Sequence, residues 1–219
     1  MTNTILQARF NMVEQQVRPW DVSDARVLGA LSSVPREQFV PEAHRAFAFA
    51  DVALPLGHGE VMMRPLHEGR MLQALNIAAG DSVLEVGTGS GFITACLAAL
   101  AVDVLSLEFH ADLAEQARAN LRAFACNKAR VETADALRGF DPRQQFDVIA
   151  LTGAVAEEPM QFRGWLKPAG RLFLIRGRSP LQEAVLVTRG EGGRFLETSL
   201  FETDLPYLIN AAPVKSFAL

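Results

Sequence analysis

The run Val83-Leu84-Glu85-Val86-Gly87-Thr88-Gly89-Ser90-Gly91 constrains this chain more than any other segment. An apolar strand passes directly into three alternating glycines, and a helical stretch from about Gly91 to Leu100 follows. Glycine tolerates positive φ and lets backbone approach a ligand without an intervening Cβ. In an open parallel sheet such a turn lies at the carboxyl ends of the strands, where ligands bind at the reversal in strand order. A tight strand-to-helix turn without a ligand uses the same residues, so the neighbouring segments decide between the two.

Those segments alternate. Residues 1 to about 45 read as helical, with Asp21 and Ser23 as start signals for a stretch carrying Val27, Leu28, Leu31 and Val34 before Pro35 stops it. Pro55, Gly57, Gly59 and Pro65 make residues 50–66 a loop. From Leu66 a helix to about Ile77 precedes strands at Ser82–Val86 and Asp103–Glu108, then a helix with Leu113, Ala117, Leu121 and Phe124 on one face. Further strands are expected at 130–133, 147–151 and 170–176. Alternation of this kind implies right-handed crossovers and a mainly parallel sheet covered by helices. Segments 183–188 and 194–200 flank Gly190-Glu191-Gly192-Gly193, a hairpin signal, so the sheet should end in an antiparallel pair. One domain over 1–219 is expected, divided into a helical N-terminal extension and loop (1–65) and a ligand-binding core (66–219).

The ligand class follows from the acids around the turn. Glu108 ends the second strand 23 residues after Glu85, where an acidic side chain reaches ribose hydroxyls in nucleotide-binding units. Asp135 follows the third strand, placed to meet an adenine edge. A dinucleotide fingerprint begun at Gly87 needs glycine where Phe92 stands, and no Lys-Ser or Lys-Thr follows the turn as a phosphate-binding loop requires. Three acids repel phosphates and suit a ligand with a sulfonium, an ammonium and a ribose diol. S-adenosyl-L-methionine fits this set best.

Charge points the same way about partners. The balance of 21 basic and 25 acidic residues gives −4, with no basic block of the kind that neutralises nucleic-acid phosphates. Phe92–Val102, the longest apolar stretch, is too short for a membrane span, and the N-terminus lacks signal-peptide order. Cys96 and Cys126 have no metal-ligand or redox spacing, so a cytoplasmic protein without a metal site is expected.

Glu85–Gly91, Glu108, Asp135 and Leu166-Lys167-Pro168-Ala169-Gly170-Arg171-Leu172 resemble the ordered motifs of class I S-adenosylmethionine-dependent methyltransferases. More narrowly, Val34-Pro35-Arg36-Glu37-Gln38-Phe39-Val40-Pro41, Pro55-Leu56-Gly57-His58-Gly59 and the run from Val83 resemble the protein-L-isoaspartate O-methyltransferases, over about residues 25–205. The resemblance implies an α/β, Rossmann-like three-layer sandwich whose mainly parallel seven-stranded sheet ends in an antiparallel hairpin. It places Glu85, Gly87, Thr88, Gly89 and Gly91 at the cofactor's methionine side, Glu108 on the ribose diol, and Asp135 with Ala136 at the adenine.

One departure concerns the acceptor. After Gly-His-Gly the family reads Gln-Thr-Ile-Ser, a variable residue, then Pro, whereas this chain reads Glu60-Val61-Met62-Met63-Arg64-Pro65. Met63 therefore occupies the family serine's position and Val61 that of its threonine. Arg64 is an acceptor-pocket candidate that would pair with a substrate carboxylate, against a solvent-facing alternative. His58 is expected to position backbone, since a carboxylate acceptor needs no general base. Thr152 should border the acceptor side. Three functions stay open: methylation of an isoaspartyl carboxylate in proteins or peptides, methylation of a different acceptor such as a small molecule, or cofactor binding with little turnover. The segment 1–25 is open as a cap, a dimer contact or a cover for the sheet edge.

Overall fold

The computed structural model describes residues 2–214. Seven strands form the main sheet: β3 (Ser82–Val86), β4 (Asp103–Glu108), β5 (Ala129–Thr133), β6 (Phe146–Val155), β7 (Leu166–Arg178), β8 (Leu181–Arg189) and β9 (Phe195–Thr203). Their spatial order is β5-β4-β3-β6-β7-β8-β9, parallel from β5 through β7 and antiparallel at β7-β8-β9. The order therefore reverses between β3 and β6, and the glycine turn leaves β3 at that point. The closing hairpin falls where Gly190–Gly193 predicted it, and β6 and β7 run longer than the apolar cores that announced them.

Period-two alternation assigns each strand side chain to a face. Val83, Val104, Val148, Ala150, Phe173 and Ile175 join one apolar cluster, while Leu84, Leu105, Ile149, Leu151, Leu172 and Leu174 join the other. On the first face lie α4 (Pro65–Leu75), α5 (Phe92–Leu100) and α6 (Ala111–Ala123), and the N-terminal helices pack into the same cluster. The second face is covered by a thinner layer, including the short α7 (Gln161–Gly164), through Phe162, with Ala136, Leu137 and Trp165.

The N-terminal helical reading is right in kind and too continuous. The segment breaks into α1 (Thr2–Asn11), a π-helical turn (Met12–Val17), α2 (Ala25–Ser33), the single turn α3 (Arg36–Phe39) and a 3₁₀ segment (Glu42–Phe47). Asp24, rather than Asp21 or Ser23, caps α2, its carboxylate accepting from the Arg26 amide at 2.8 Å. Residues 50–66 are also more ordered than their prolines and glycines imply. Here β1 (Leu54–Gly57) and β2 (Glu60–Met62) pair as a small antiparallel hairpin, turning at His58 and Gly59. His58 and both flanking glycines take positive φ (Gly57 105°, His58 54°, Gly59 83°), so the glycines that suggested a loop are what make the turn.

Candidate active site

A cleft of about 600 Å³ opens at the carboxyl edge of β3, β4 and β6. The β1–β2 hairpin supplies Leu56, Glu60 and Val61; the glycine turn supplies Gly87 and Gly89; the end of β4 supplies Glu108, Phe109 and His110. Ala134 to Leu137 form the floor beyond β5, and Leu208 and Ile209 close the far side. Three carboxylates, Glu60, Glu108 and Asp135, border this space, and its described lining contains no lysine or arginine.

Local chemistry fixes each part. Gly87 has φ 99°, and a Cβ there would overlap Thr152 Oγ1. The Thr152 hydroxyl lies 2.9 Å from the Val86 carbonyl oxygen and 2.6 Å from that of Gly87, so it pins the start of the turn to β6. Glu108 grips the other end, accepting from the Gly89 amide at 2.8 Å through Oε2 and from the His110 amide at 3.0 Å through Oε1. A carboxylate has about four lone-pair sites, so two remain for a diol. Asp135 caps the following turn through the Leu137 amide (2.9 Å) and accepts from Asn210 Nδ2 at 2.7 Å. Burial, reinforced by the nearby Glu108 charge and opposed by His110, raises the Glu60 pKa above the usual carboxylate value.

Three residues expected beside the ligand lie outside the cleft lining: Glu85 and Gly91 stand behind the turn, and Thr88 borders the adjoining chamber. Glu85 is fully buried and does not line the cleft. Its Oε2 accepts from Thr94 Oγ1 (2.5 Å) and Ser106 Oγ (2.6 Å), and Ser106 Oγ in turn lies 2.5 Å from Thr88 Oγ1. Because Ser106 spends its only proton on Glu85, Thr88 donates to Ser106. Burial pushes the Glu85 pKa up to about 7. Side chains alternate along β3, so with Val86 lining the cleft, Glu85 faces the other side of the sheet. Gly91 also lies outside the lining; a Cβ there would sit 3.4 Å from Ala117 Cβ and Leu121 Cγ, so this glycine lets α6 pack closely.

Beyond Gly87, Gly89 and Thr152 a smaller chamber of about 310 Å³ adjoins the cleft. Val61, Met62, Met63, Phe92 and Ile93 give it an apolar wall, with Thr88 and Glu68 among its polar members. Arg36 organises this wall from behind. Wholly buried, it donates to both Glu68 oxygens, to the Ala48 carbonyl (2.9 Å) and to the Met63 carbonyl (2.9 Å), with its guanidinium over the Phe92 ring.

Arg64 lines neither space. It pairs with Asp51, whose Oδ1 also accepts from the Leu66 amide (3.1 Å) at the start of α4. The expectation that Arg64 reaches the acceptor is thus corrected: Asp51, invisible as a partner in the sequence, holds it outside. His58 is likewise outside, with Nε2 2.8 Å from Asp112 Oδ2. Thr152 does face both spaces, with its hydroxyl directed at backbone. Phe109, His110, Leu208, Ile209 and Asn210 are the residues that sequence reasoning missed. The first two follow Glu108 directly and were findable from their place at a strand's carboxyl end; the C-terminal three carry no local signal.

A parallel sheet reversing at a glycine turn, with an acid at the next strand's end, defines a Rossmann-like fold of the class I methyltransferase type. Residues 8–204 match the family Protein-L-isoaspartate(D-aspartate) O-methyltransferase, and the chain belongs to that family. A protein-L-isoaspartate O-methyltransferase of Koribacter versatilis is 38% identical over 192 residues, covering 88% of this chain and 86% of the relative. One from Methylorubrum extorquens is 38% identical over 189 residues, covering 86% and 82%. The fold matches the crystal structure of a beta-aspartate methyltransferase from Plasmodium falciparum in complex with S-adenosyl-L-homocysteine, with TM-score 0.80 at 19% identity over 91% of this chain and 97% of that one.

Proposed function

We propose that this chain transfers the methyl group of S-adenosyl-L-methionine to a carboxylate, with an isoaspartyl side chain in a protein or peptide as acceptor. The observation that carries the donor assignment is the cleft at the glycine turn, bordered by three carboxylates with no lysine or arginine in its described lining. Such a site disfavours phosphate and favours a sulfonium with a ribose diol. Gly87 and Gly89 would take the methionine portion, Glu108 the diol, and Asp135 with Ala136 the adenine edge. When bound, the cofactor supplies an electrophilic methyl group.

The chamber behind the turn is the acceptor's place in this reading, because it shares Gly87, Gly89 and Thr152 with the cleft. A carboxylate is already an anionic nucleophile at neutral pH. The protein's work is then alignment and exclusion of water, and the wall of Val61, Met62 and Met63 suits the second task. The same wall lacks a hydroxyl at Met63 to hold the substrate. A hydrogen bond to a charged group is worth roughly 1.5–3 kcal/mol, so its loss lowers affinity or rate by about one to two decades without abolishing transfer.

The residues described include no helix long and apolar enough to cross a membrane. Free thiols at Cys96 and Cys126 agree with a reducing, cytoplasmic setting.

Calorimetric titration with S-adenosyl-L-homocysteine, followed by methyl transfer from labelled cofactor to an isoaspartyl peptide, tests the proposal. Binding with measurable transfer, increased about 10- to 100-fold in Met63→Ser, is the expected result. Absence of S-adenosyl-L-homocysteine binding overturns the donor assignment. Binding without transfer in both proteins overturns the acceptor assignment.

A further inference from the structure

The hairpin turn and the start of α6 bring together His58 and Asp112, which line neither the cleft nor the chamber, with His110 and Glu60 at the cleft's rim. His58 projects from the positive-φ turn so that its Nε2 lies 2.8 Å from Asp112 Oδ2. Its ring stacks on that of His110, with centroids 4.1 Å apart and planes inclined by 10°. His110 Nε2 is enclosed yet has no hydrogen-bond partner, and Glu60 Oε1 lies 3.8 Å from it. One donor atom from each of His58, His110 and Asp112 falls within a mutual 4.8 Å.

We propose that His58, His110 and Asp112, with Glu60 adjoining, form a zinc-type divalent metal site that joins the β1–β2 hairpin to α6 at the rim of the cleft. The donor chemistry selects the ion. Two imidazoles with one or two carboxylates match zinc and its borderline neighbours, whereas magnesium and calcium prefer oxygen-only shells.

Chelation requires a defined movement. Ligand distances of ~2.0–2.2 Å place tetrahedral donors about 3.4 Å apart, so the 4.8 Å spread must contract. Nearly parallel rings cannot aim in-plane lone pairs at one point, so the His58 ring must turn while His110 stays. His58 and Asp112 have the freedom to do this: their side chains are 42% and 68% exposed, against 16% for His110. That exposure also leaves an entry path. The ion would then close one side of the cleft by fixing the strand that carries Glu60 to the residues following Glu108.

The test uses the full chain after treatment with a chelator. Zn²⁺ is titrated calorimetrically, and Co²⁺ is followed by its visible d–d absorption. The expected result is one ion per chain with a tetrahedral Co²⁺ spectrum, weakened at least about tenfold in both His58→Ala and Asp112→Asn. Zn²⁺ should also raise the melting temperature of the parent and leave that of the variants unmoved. Both changed residues are solvent-exposed, and circular dichroism checks that each variant folds; if one does not, the other decides. Absence of saturable Zn²⁺ binding by the parent, or equal binding by a folded variant, overturns the proposal. Cys126→Ser separates this site from a half-buried thiol: loss of binding in that variant also overturns it.

Discussion

Relative to the parent, Glu85→Gln should gain stability as pH rises. Wholly buried behind the glycine turn, Glu85 has its pKa raised from the ordinary 4.5 to about 7, chiefly by burial and against the opposing hydrogen bonds of Ser106 and Thr94. An acid raised in the folded state contributes its full stability below the unfolded value and loses it as pH rises through the folded one. The loss runs from about pH 4.5 to about pH 7 at ~1.4 kcal/mol per unit, reaching about 3 kcal/mol on the alkaline side. Glutamine removes that titration and keeps one oxygen to accept from both hydroxyls. Its amide falls where Oε1 already has no partner, so both accepted bonds are kept while the NH2 group is buried without an acceptor, a cost that does not change with pH. Urea unfolding of the ligand-free proteins at pH 4.5, 6 and 8 reads the difference. The stability of the variant relative to the parent should rise by about 3 kcal/mol between pH 4.5 and pH 8. A difference that does not change with pH would refute the placement of a buried acid of raised pKa behind the turn.

Arg36→Met leaves the Glu68 carboxylate buried without its partner, and breaking a buried pair in this way should cost about 3–5 kcal/mol in chemical denaturation. Adding Glu68→Leu should recover much of that loss, whereas independent additive losses in the double variant would remove the pair from the account. Gly87→Ala forces a Cβ into Thr152 Oγ1 at φ 99°, so S-adenosyl-L-homocysteine binding should weaken at least about tenfold by calorimetry; unchanged affinity would show that the turn does not meet the ligand. Asp51→Ala removes the acceptor for the Leu66 amide and frees Arg64, lowering stability by about 1 kcal/mol in thermal melts.

What the sequence revealed depends on whether the cause of a feature is local. The glycine turn, Glu108 and Asp135 were legible because strand ends and turns have short-range signatures, and the sheet brings those ends to one edge. Glu85 lies away from that edge because β3 alternates, and Val86 rather than Glu85 meets the cleft. The far wall left no trace because it is a tertiary event. Leu208 reaches the cleft only because its amide donates to the Ala154 carbonyl (2.8 Å) and the Ala154 amide donates to the Pro206 carbonyl (2.9 Å), bonds between segments more than fifty residues apart. The two-histidine cluster is of the same kind. Residues 58, 110 and 112 have no metal-ligand spacing, and the hairpin alone brings His58 to the others.

Arg36 explains how Met63 is accommodated without disturbing its surroundings. The Val34–Pro41 motif carries no group that touches the cleft, yet Arg36 holds residue 63 by its backbone carbonyl and fixes the adjoining chain through Ala48. The position of residue 63 is therefore set by atoms that every amino acid has. A methionine there changes what the chamber presents to an acceptor while leaving the chamber's frame in place. Met63→Ser should accordingly alter methyl transfer with little change in cofactor affinity. Arg36→Met should release the frame itself and impair both, a contrast that separates the chemistry of the wall from the scaffold behind it.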